Sequence, residues 1–309
     1  MLSPVFKEFL AQNTEVKIIF VSRQNFKPLF EGIERLDFKG INLEEYKGFW
    51  GMRRLYRDLK KEYTFDFVAD FHDVIRTKML DRFFRFSGFK VSVIDKGKKE
   101  KEHLTDIWNV EKHALKPNVE RYAQVLRNFG FPLNLSFTYP KVITEKKGIG
   151  FAPFAQHYGK MLPIEKSFKL AKKLAKRGTL YFFGGGEKEI RILEQWAQEI
   201  EGAVNLAGQL NLHEELKVIE GLSVMISMDS ANMHLASLMG TRCISIWAAT
   251  HPYAGFLGYG QNTSDIVQVK DLTCRPCSVF GDKKCFRGDY ACLHELDINK
   301  ILDKIPINQ

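Results

Sequence analysis

An acid, a hydroxyl group and an imidazole occur together in residues 227–247, which read SMDSANMHLASLMGTRCISIW. The apolar run before Asp229 predicts a buried strand, and the next residues predict a helix that carries Ser230 in its first turn and His234 one turn later. Where a strand feeds a helix, free backbone N–H groups and the positive end of the helix dipole suit a phosphate. Taken singly, Asp229 or Ser230 also fits a helix cap, and His234 also fits a hydrogen-bonded packing residue.

Two further loops of the same half carry polar residues after predicted strands. The stretch FAPFAQHYGKMLP places Lys160 where its ammonium group can neutralise a diphosphate. The stretch LYFFGGGEKE ends a strand in three glycines, which allow close backbone approach, and puts Glu187 at a helix start where it can accept hydrogen bonds from a ribose or a base. These glycines do not form the G-x-G-x-x-G pattern of dinucleotide-binding proteins. Three strand ends thus converge on one predicted ligand site.

The elements that must position these residues follow a βαβ pattern. In the first half the runs VKIIFVS, RLDFKGI, FDFVADF and KVSVID predict strands, and amphipathic stretches between them predict helices. The polar stretch TYPKVITEKKG then precedes a second alternation of the same kind. We therefore predict an α/β protein with two Rossmann-like domains, residues 1–145 and 146–309, that face a cleft at the carboxyl ends of their strands.

The chain is basic, with 46 Lys and Arg residues against 37 Asp and Glu residues and a net charge of +9. Residues 76–101 are rich in Lys and Arg, and they form either a solvated basic face or a site for an anionic partner. Neither a basic-aromatic ribonucleoprotein signature nor a Cys/His finger spacing accompanies the charge, so we expect no nucleic-acid partner. The sequence has no run of about 18 apolar residues, and residues 1–14 lack the layout of a secretion signal, so we expect a cytoplasmic protein.

Four of the five cysteines are grouped near the carboxyl terminus with the spacing C-x2-C-x7-C-x6-C. They are Cys274, Cys277, Cys285 and Cys292. Four thiolates suffice for a tetrahedral structural zinc site, although this spacing is not that of two paired C-x2-C knuckles. Reduced thiols that pack a loop are one alternative, and a disulfide is the other. The odd total favours a reducing compartment over a secreted disulfide scaffold.

Several of these segments resemble glycosyltransferase family 9, the ADP-heptose:lipopolysaccharide heptosyltransferases. The resemblance rests on four segments in the family's order and spacing: FAPFAQHYGKMLP, FFGGGEKE, SMDSANMHLASLMGTRCISIWAATHP and DLTCRPCSVFGDKKCFRGDYACL. It implies a GT-B fold in which the carboxyl-terminal domain binds the nucleotide sugar and the amino-terminal domain binds the acceptor. It also implies inverting transfer of a heptose from ADP-heptose to a lipopolysaccharide core, with no cofactor and no catalytic metal.

The same resemblance implies roles for individual residues of the second half. Lys160 would bind the diphosphate and take part in catalysis by neutralising the charge that develops there. Glu187 would contact the ribose, and Asp229, Ser230 and His234 would hold the sugar and the phosphates. The family usually has glycine at the next position, where this chain has Ala231, so one methyl group narrows the space beside the donor.

In the first half, DFHDVIRTK resembles the family's acceptor loop. Arg76 and Lys78 would therefore bind an anionic sugar or a lipid phosphate, with Arg121 as a further candidate. The implied partners are a nucleotide-sugar donor and an anionic glycolipid acceptor at the membrane surface. Such an acceptor would make the protein peripheral at the inner face of the inner membrane.

The general base is the part of this pattern that the sequence does not supply. In the family it is an aspartate in a glycine-containing loop after the first strand, whereas this sequence opens at MLSPVFKEFLAQN, which is typical of the following helix. We therefore expect an incomplete amino-terminal domain that lacks its first strand, and a chain that binds donor but transfers sugar poorly. Asp73 is the only nearby substitute base, and it fits an ion pair with Arg76 at least as well.

Two other functions fit the same residues. One is a GT-B transferase that uses another nucleotide sugar. The other is a catalytically weak relative that binds nucleotide sugars.

Overall fold

The computed structural model describes residues 1–138 and 146–305, and these residues belong to two compact units. The first unit is Met1–Gly97 with Asn118–Ser136, and the second is Lys98–Pro117 with Phe137–Gln309. The second unit thus includes residues 98–117, which the sequence pattern places in the first domain. The predicted boundary between residues 145 and 146 borders the stretch 139–145, which lies outside the described residues. Within the described ranges, no helix combines the length and the apolar character needed to cross a membrane.

Helices and parallel strands alternate in the first unit. Its elements in chain order are α1 (Leu2–Gln12), β1 (Ile18–Arg23), β2 (Leu36–Ile41), α2 (Gly48–Glu62), β3 (Phe67–Asp70), α3 (Ile75–Phe86), β4 (Lys90–Val93) and, after α4 (Lys98–Leu104) of the second unit, α5 (Asn118–Arg127). The four strands expected in this half are present, and the opening residues are helical as their sequence predicts. In the described part of the chain, β1 pairs only with β2 and β3 only with β4, each pair parallel.

Helix α1 packs on both of these small sheets. Its buried apolar residues include Val5, Phe6 and Phe9, which recur at helical spacing. The Phe6 ring meets Phe20 of β1 edge to face with ring centroids 5.2 Å apart, and it meets Phe71, just after β3, at 5.4 Å. Because no hydrogen-bonded ladder joins β1 to β3 within the described residues, aromatic packing under α1 connects the two sheets.

A buried guanidinium group fixes the loop after β4. Arg121 of α5 is 4% exposed, donates a hydrogen bond from Nη1 to the Asp95 carbonyl oxygen at 3.3 Å, and lies 3.7 Å from the Asp95 carboxylate. It also lies against Gly97, whose φ of +61° is in the left-handed region, and a side chain at that position would collide with the guanidinium group. Arg121, a predicted acceptor-binding residue, is therefore inside the first unit and holds this loop.

The second unit is built on one parallel sheet of six strands. After α4 its elements are β5 (Ile149–Ala152), α6 (Ile164–Ala175), β6 (Leu180–Phe182), α7 (Glu187–Glu199), β7 (Ala203–Asn205), α8 (Leu212–Gly221), β8 (Val224–Met228), α9 (Ala231–Leu238), β9 (Cys243–Trp247), β10 (Ile266–Gln268), α10 (Ala291–His294) and α11 (Asn299–Leu302). The strand order is β10-β9-β8-β5-β6-β7. The strands that the sequence predicts in this half correspond to β5, β6, β8 and β9.

Both faces of this sheet are buried, as expected where helices cover a parallel sheet. Phe151 and Ile226 pack into one layer of the core, whereas Ala152 and Met225 pack into the other, because side chains alternate along a strand. The chain runs outward from β5 to β7 and then returns to the other side of β5 with β8. The carboxyl ends of β5 and β8 therefore flank the topological switch point, where open α/β sheets bind ligands.

We expect alanine at position 97 to destabilise the first unit more than alanine at position 88. Both glycines have positive φ, but an added Cβ would meet Arg121 at Gly97 and open space at Gly88. The shared backbone strain costs about 1–2 kcal/mol, and displacement of the guanidinium group should add about 1–3 kcal/mol in Gly97→Ala alone. Urea unfolding of the two variants measures the difference, and equal losses of stability would contradict this packing of Arg121.

Candidate functional site

A buried ion pair lies at the switch point of the second sheet. Lys160 ends a 3-10 turn (Tyr158–Lys160) that follows β5, and Asp229 directly follows β8. The Lys160 Nζ lies 2.9 Å from Asp229 Oδ2, and the two side chains are 14% and 5% exposed. Since both groups give up most of their hydration, each charge needs the other. Two residues that the sequence assigns to one site from separate loops are thus in direct contact.

Backbone contacts from two other loops hold Lys160 in place. The carbonyl oxygen of Gly159 accepts a hydrogen bond from Ala249 N, after β9, at 2.9 Å, and Gly159 N donates to the Gly281 carbonyl oxygen at 3.2 Å. Gly281 lies between Cys277 and Cys285, in the loop that carries the grouped cysteines and that we call the cysteine-containing loop. A Cβ at this position would lie only 2.8 Å from Lys160 Cγ. No spacing in the sequence relates Gly281 or Ala249 to Lys160, so neither contact is predictable from it.

The amino end of α9 opens beside this pair. Ser230 is its N-cap residue, but the side chain makes no hydrogen bond to the helix, and its Oγ lies 3.1 Å from Ser227 Oγ instead. Asp229 uses its carboxylate in the ion pair with Lys160. Ala231, the first helical residue, is exposed. The first-turn N–H groups of a helix have no partner within it, so this end of α9 is suited to an anion.

His234 lies one turn into α9, and its Nδ1 is shielded from solvent without a hydrogen-bond partner among the described residues. Burial lowers the pKa of His234 to about 3, and the positive charge of Lys160 acts in the same direction. The imidazole is therefore neutral near pH 7 and offers one donor and one acceptor. A buried ring nitrogen without a partner is unfavourable. The ligand contact of His234 stays a prediction, and Nδ1 is the atom that could make it.

The glycine turn after β6 is closed by a residue that no sequence motif marks. Glu189 Oε2 accepts a hydrogen bond from Gly185 N at 2.8 Å, and burial raises the pKa of Glu189. Glu187 opens α7 with an exposed side chain, 3.2 Å from Arg191 one turn further on. Strand β6 is the neighbour of β5, so this turn lies on the same edge of the sheet as Lys160. Glu187 thus lies at the edge of the sheet where the sequence predicts the ligand site. Glu189 instead holds the glycine turn through its hydrogen bond with Gly185.

The four grouped cysteines line one cavity and are free thiols. They share the cavity with Arg275, Arg287 and Tyr290. In residues 1–138 and 146–305, no three His, Cys, Asp or Glu side chains are arranged so that they could hold a metal ion. The four cysteines form no disulfide with one another, and the structural zinc site stays a prediction.

Arg275, inside this loop, ties it to the end of β9. The guanidinium group is buried and donates hydrogen bonds to the carbonyl oxygens of Trp247 at 3.0 Å, Thr250 at 2.9 Å and Val269 at 2.7 Å. Burial lowers the pKa of Arg275 to about 10, which still leaves the group charged near pH 7. The cysteine-containing loop is thereby fixed against the strand end that neighbours β8.

The predicted acceptor loop lies at the carboxyl end of β3 in the first unit. Asp70 accepts hydrogen bonds from the backbone N–H groups of His72 at 2.7 Å and Asp73 at 3.1 Å, which fixes the course of the loop. The Asp73 carboxylate lies 3.2 Å from Lys78 Nζ. Asp73 therefore pairs with Lys78 and not with Arg76, although both basic side chains are exposed near the start of α3.

A buried carboxyl group lies next to this loop. Asp81 of α3 is 3% exposed, and burial raises its pKa to about 7. The negative charge of Asp70 adds to this rise, and the positive charge of Arg85 opposes it. A side-chain hydrogen bond with Asp70 also raises the pKa of Asp81. Asp81 thus keeps its proton over a pH range in which exposed aspartates are fully ionised.

Comparison with known protein families and curated proteins identifies relatives of this chain. The model of glycosyltransferase family 9 (heptosyltransferase) matches residues 52–285. Among curated proteins, lipooligosaccharide heptosyltransferase 2 of Haemophilus influenzae is 30% identical over 118 residues, which cover 36% of this chain and 34% of that protein. The match thus spans about a third of the length of this curated relative.

Solved structures resemble most of the chain. The ADP-heptose lps heptosyltransferase II of E. coli has a TM-score of 0.63 at 17% identity, with 89% of this chain and 91% of that chain covered. A glycosyltransferase family 9 protein of Veillonella parvula has a TM-score of 0.70 at 14% identity, with 97% of this chain and 90% of that chain covered. The E. coli heptosyltransferase WaaC with ADP has a TM-score of 0.62 at 16% identity, with 84% of this chain and 86% of that chain covered. At such identities the likeness shows the fold, and it confirms the predicted α/β GT-B class.

We expect Asp81→Asn to remove a pH dependence of stability between about pH 4 and pH 7. Because the pKa of Asp81 is raised to about 7 in the folded protein, the folded state retains a proton that the unfolded state releases. Wild-type stability should therefore fall as pH rises through this range, and asparagine, which does not titrate, should flatten that fall. Urea unfolding at several pH values measures the slope. Asp66→Asn, at an exposed position, is the control and should keep the wild-type slope. If stability depended on pH equally in wild type and in Asp81→Asn, the raised pKa of Asp81 would be contradicted.

Proposed function

Because the chain belongs to glycosyltransferase family 9, we propose that it transfers a heptose from ADP-heptose to a lipopolysaccharide core acceptor, with inversion at the anomeric carbon. The buried Lys160–Asp229 pair beside the open end of α9 is the observation that supports this most directly. The names of the relatives agree with it, since they include heptosyltransferases and one structure that contains ADP.

The donor would bind at the switch point of the second sheet. Its diphosphate would lie against Lys160 Nζ and the first-turn N–H groups of α9, because both are positive. Asp229, a carboxylate, would accept hydrogen bonds from sugar hydroxyls, and His234, a neutral imidazole, would bind the sugar or a phosphate oxygen. Ser230, the N-cap residue of α9, would also hold the sugar or the phosphates, and Glu187 would accept hydrogen bonds from the ribose.

The chemistry needs positive charge where the leaving group forms. The acceptor hydroxyl gives up its proton to a base and attacks the anomeric carbon, the bond from that carbon to the diphosphate breaks, and ADP leaves with the bonding electron pair and gains negative charge. Lys160 and the dipole of α9 would stabilise this charge in a site that is largely shielded from water. These groups supply the charge stabilisation that a metal ion can provide elsewhere, so we propose a reaction that needs neither a metal nor another cofactor.

The acceptor would bind to the first unit through Arg76 and Lys78. Both are exposed cations beside the loop after β3, and both suit an anionic sugar or a lipid phosphate. Arg121 is buried against Asp95, so its contribution would be to hold the neighbouring loop in place.

The catalytic base is unassigned. Asp73 lies in the acceptor loop, but its carboxylate forms an ion pair with Lys78, which competes with a role as proton acceptor. This observation favours a second candidate function, namely a relative that binds the nucleotide sugar and turns it over slowly. Assays of donor binding and of sugar transfer on the same preparation distinguish the two functions.

We expect the double variant Lys160→Met/Asp229→Asn to bind ADP-heptose on the order of 10- to 100-fold more weakly than wild type, because charge-assisted hydrogen bonds contribute about 1.5–3 kcal/mol. Both charges are removed together, since either one alone would remain buried without its partner. Isothermal titration calorimetry measures the dissociation constant. Lys169→Met, at an exposed position of α6, is the control and should bind as wild type does.

Unchanged affinity in a folded double variant would overturn the placement of the donor at this edge. The identity of the donor is tested separately, by titration of wild type with ADP-, UDP- and GDP-sugars. Preference for a sugar linked to another base would keep the site but contradict ADP-heptose as its ligand.

A further inference from the structure

Helices α2 and α3 of the first unit present large apolar side chains to solvent side by side. Trp50 is 71% exposed and Phe86 is 89% exposed, and Phe49 is also exposed. Phe49 packs on Trp50 with ring centroids 5.3 Å apart and on Phe83 of α3 at 5.4 Å. These contacts make one continuous surface of the two helices, which we call the α2–α3 face.

Basic side chains surround the apolar groups of this face. On α2, Arg53 and Arg57 are exposed and follow Trp50 at helical spacing, and the Arg53 guanidinium group lies 5.6 Å from the centre of the Trp50 ring. On α3, exposed Arg82 precedes Phe86 by four residues, so the two side chains share one side of the helix. Arginine and aromatic side chains thus alternate across the surface.

Basic residues outnumber the acids on these two helices. On α2, Asp58 is exposed and keeps its negative charge, and Glu62 pairs with Lys39 at 2.6 Å, whereas the helix carries five Lys and Arg residues. The one acid of α3, Asp81, is buried. The outer side of the α2–α3 face is therefore apolar and positive, and the surface that complements it is anionic with an apolar layer beneath.

We propose that the α2–α3 face binds an anionic phospholipid bilayer. Trp50 and Phe86 would enter the boundary between headgroups and acyl chains, where amphipathic surfaces with aromatic anchors are favoured. The guanidinium groups of Arg53, Arg57 and Arg82 would pair with lipid phosphates. Electrostatic attraction and shallow insertion together give binding that neither supplies alone.

A bilayer fits this face better than a folded protein partner does. Arginine and aromatic residues occur in both kinds of interface, but lysine is depleted from interfaces between proteins. On α2, exposed Lys60 and Lys61 continue the basic row beyond Arg57. Clusters of Lys and Arg beside aromatic anchors are typical of surfaces that bind anionic lipid. The proposal does not depend on the donor site or on the transfer reaction.

Co-sedimentation of the full chain with lipid vesicles tests the proposal. We expect binding to vesicles of phosphatidylcholine with about a third phosphatidylglycerol, but not to phosphatidylcholine alone, and weaker binding at high salt. Arg53→Gln/Arg57→Gln/Arg82→Gln should lower the partition coefficient on the order of 100-fold, since each basic residue near an anionic surface contributes about fivefold.

Two further variants separate the surface from the overall charge. Trp50→Ser/Phe86→Ser should lower the partition coefficient at least about tenfold, because it removes the apolar area that inserts. Lys169→Gln/Lys172→Gln/Lys176→Gln removes two exposed charges from α6 and one from the residue that follows it, and this variant should bind vesicles as wild type does. All three variants should bind ADP-heptose unchanged, so failure of the docking surface is distinguishable from failure of the donor site.

Equal losses in the two triple variants would mean that binding follows net charge, and this would overturn the proposal. Wild-type protein that binds neither kind of vesicle would overturn it as well. If such protein instead forms a concentration-dependent dimer that Trp50→Ser/Phe86→Ser abolishes, the α2–α3 face is an interface between proteins.

Discussion

Two opposite charges are held out of water where the strand order of a parallel sheet reverses, and the loops around them are arranged to keep them in contact. Lys160 and Asp229 follow the two strands that flank this reversal. Removal of either partner from such a buried pair typically costs about 3–5 kcal/mol. The loop after β9 and the cysteine-containing loop both bond to Gly159, next to Lys160, so segments far apart in sequence all serve this one contact.

The same pair decides how an anion can bind. The two charges of the pair balance each other, so a diphosphate bound as proposed would share Lys160 with Asp229. The N–H groups at the amino end of α9 would then supply additional favourable contacts beside the pair. His234 is neutral at this point because its ring is buried near Lys160, so it adds hydrogen-bonding groups without a further charge.

Much of this arrangement is predictable from the sequence, for physical reasons. Strands buried on both faces read as continuous apolar runs, so β5, β8 and β9 are recognisable. Because the ends of adjacent parallel strands meet at one edge of a sheet, polar residues after such runs are expected to be neighbours, and Lys160 and Asp229 are. The contact of Gly281 with the Lys160 stem follows instead from the path of a distant loop, which no local pattern encodes.

The first unit shows the same limit in its charged residues. Arg76 and Lys78 were equivalent by composition, and the choice of Lys78 as the partner of Asp73 depends on loop geometry, including a positive φ of 45° at Asp73. Arg121 is a candidate acceptor ligand by resemblance, but it is buried, and its burial depends on a glycine at position 97 that leaves room for it. In both cases the side chain's partner is set by backbone conformation, which residue type alone does not reveal.

The two units also differ in how their strands are secured. β5 and β8 each have hydrogen-bonded neighbours on both sides and are buried along their whole length, whereas β1 and β3 each have one such neighbour in the described chain and are mostly half-buried. A hydrogen-bonded ladder fixes the register of a strand, while contacts such as those of Phe6 depend on apolar area and constrain direction less. The charged pair, which tolerates little displacement, therefore lies in the unit whose strands are fixed on both sides. The first unit instead presents exposed cations and aromatic side chains on α2 and α3. Electrostatic attraction and apolar contact of such side chains depend less on exact position than a buried ion pair does.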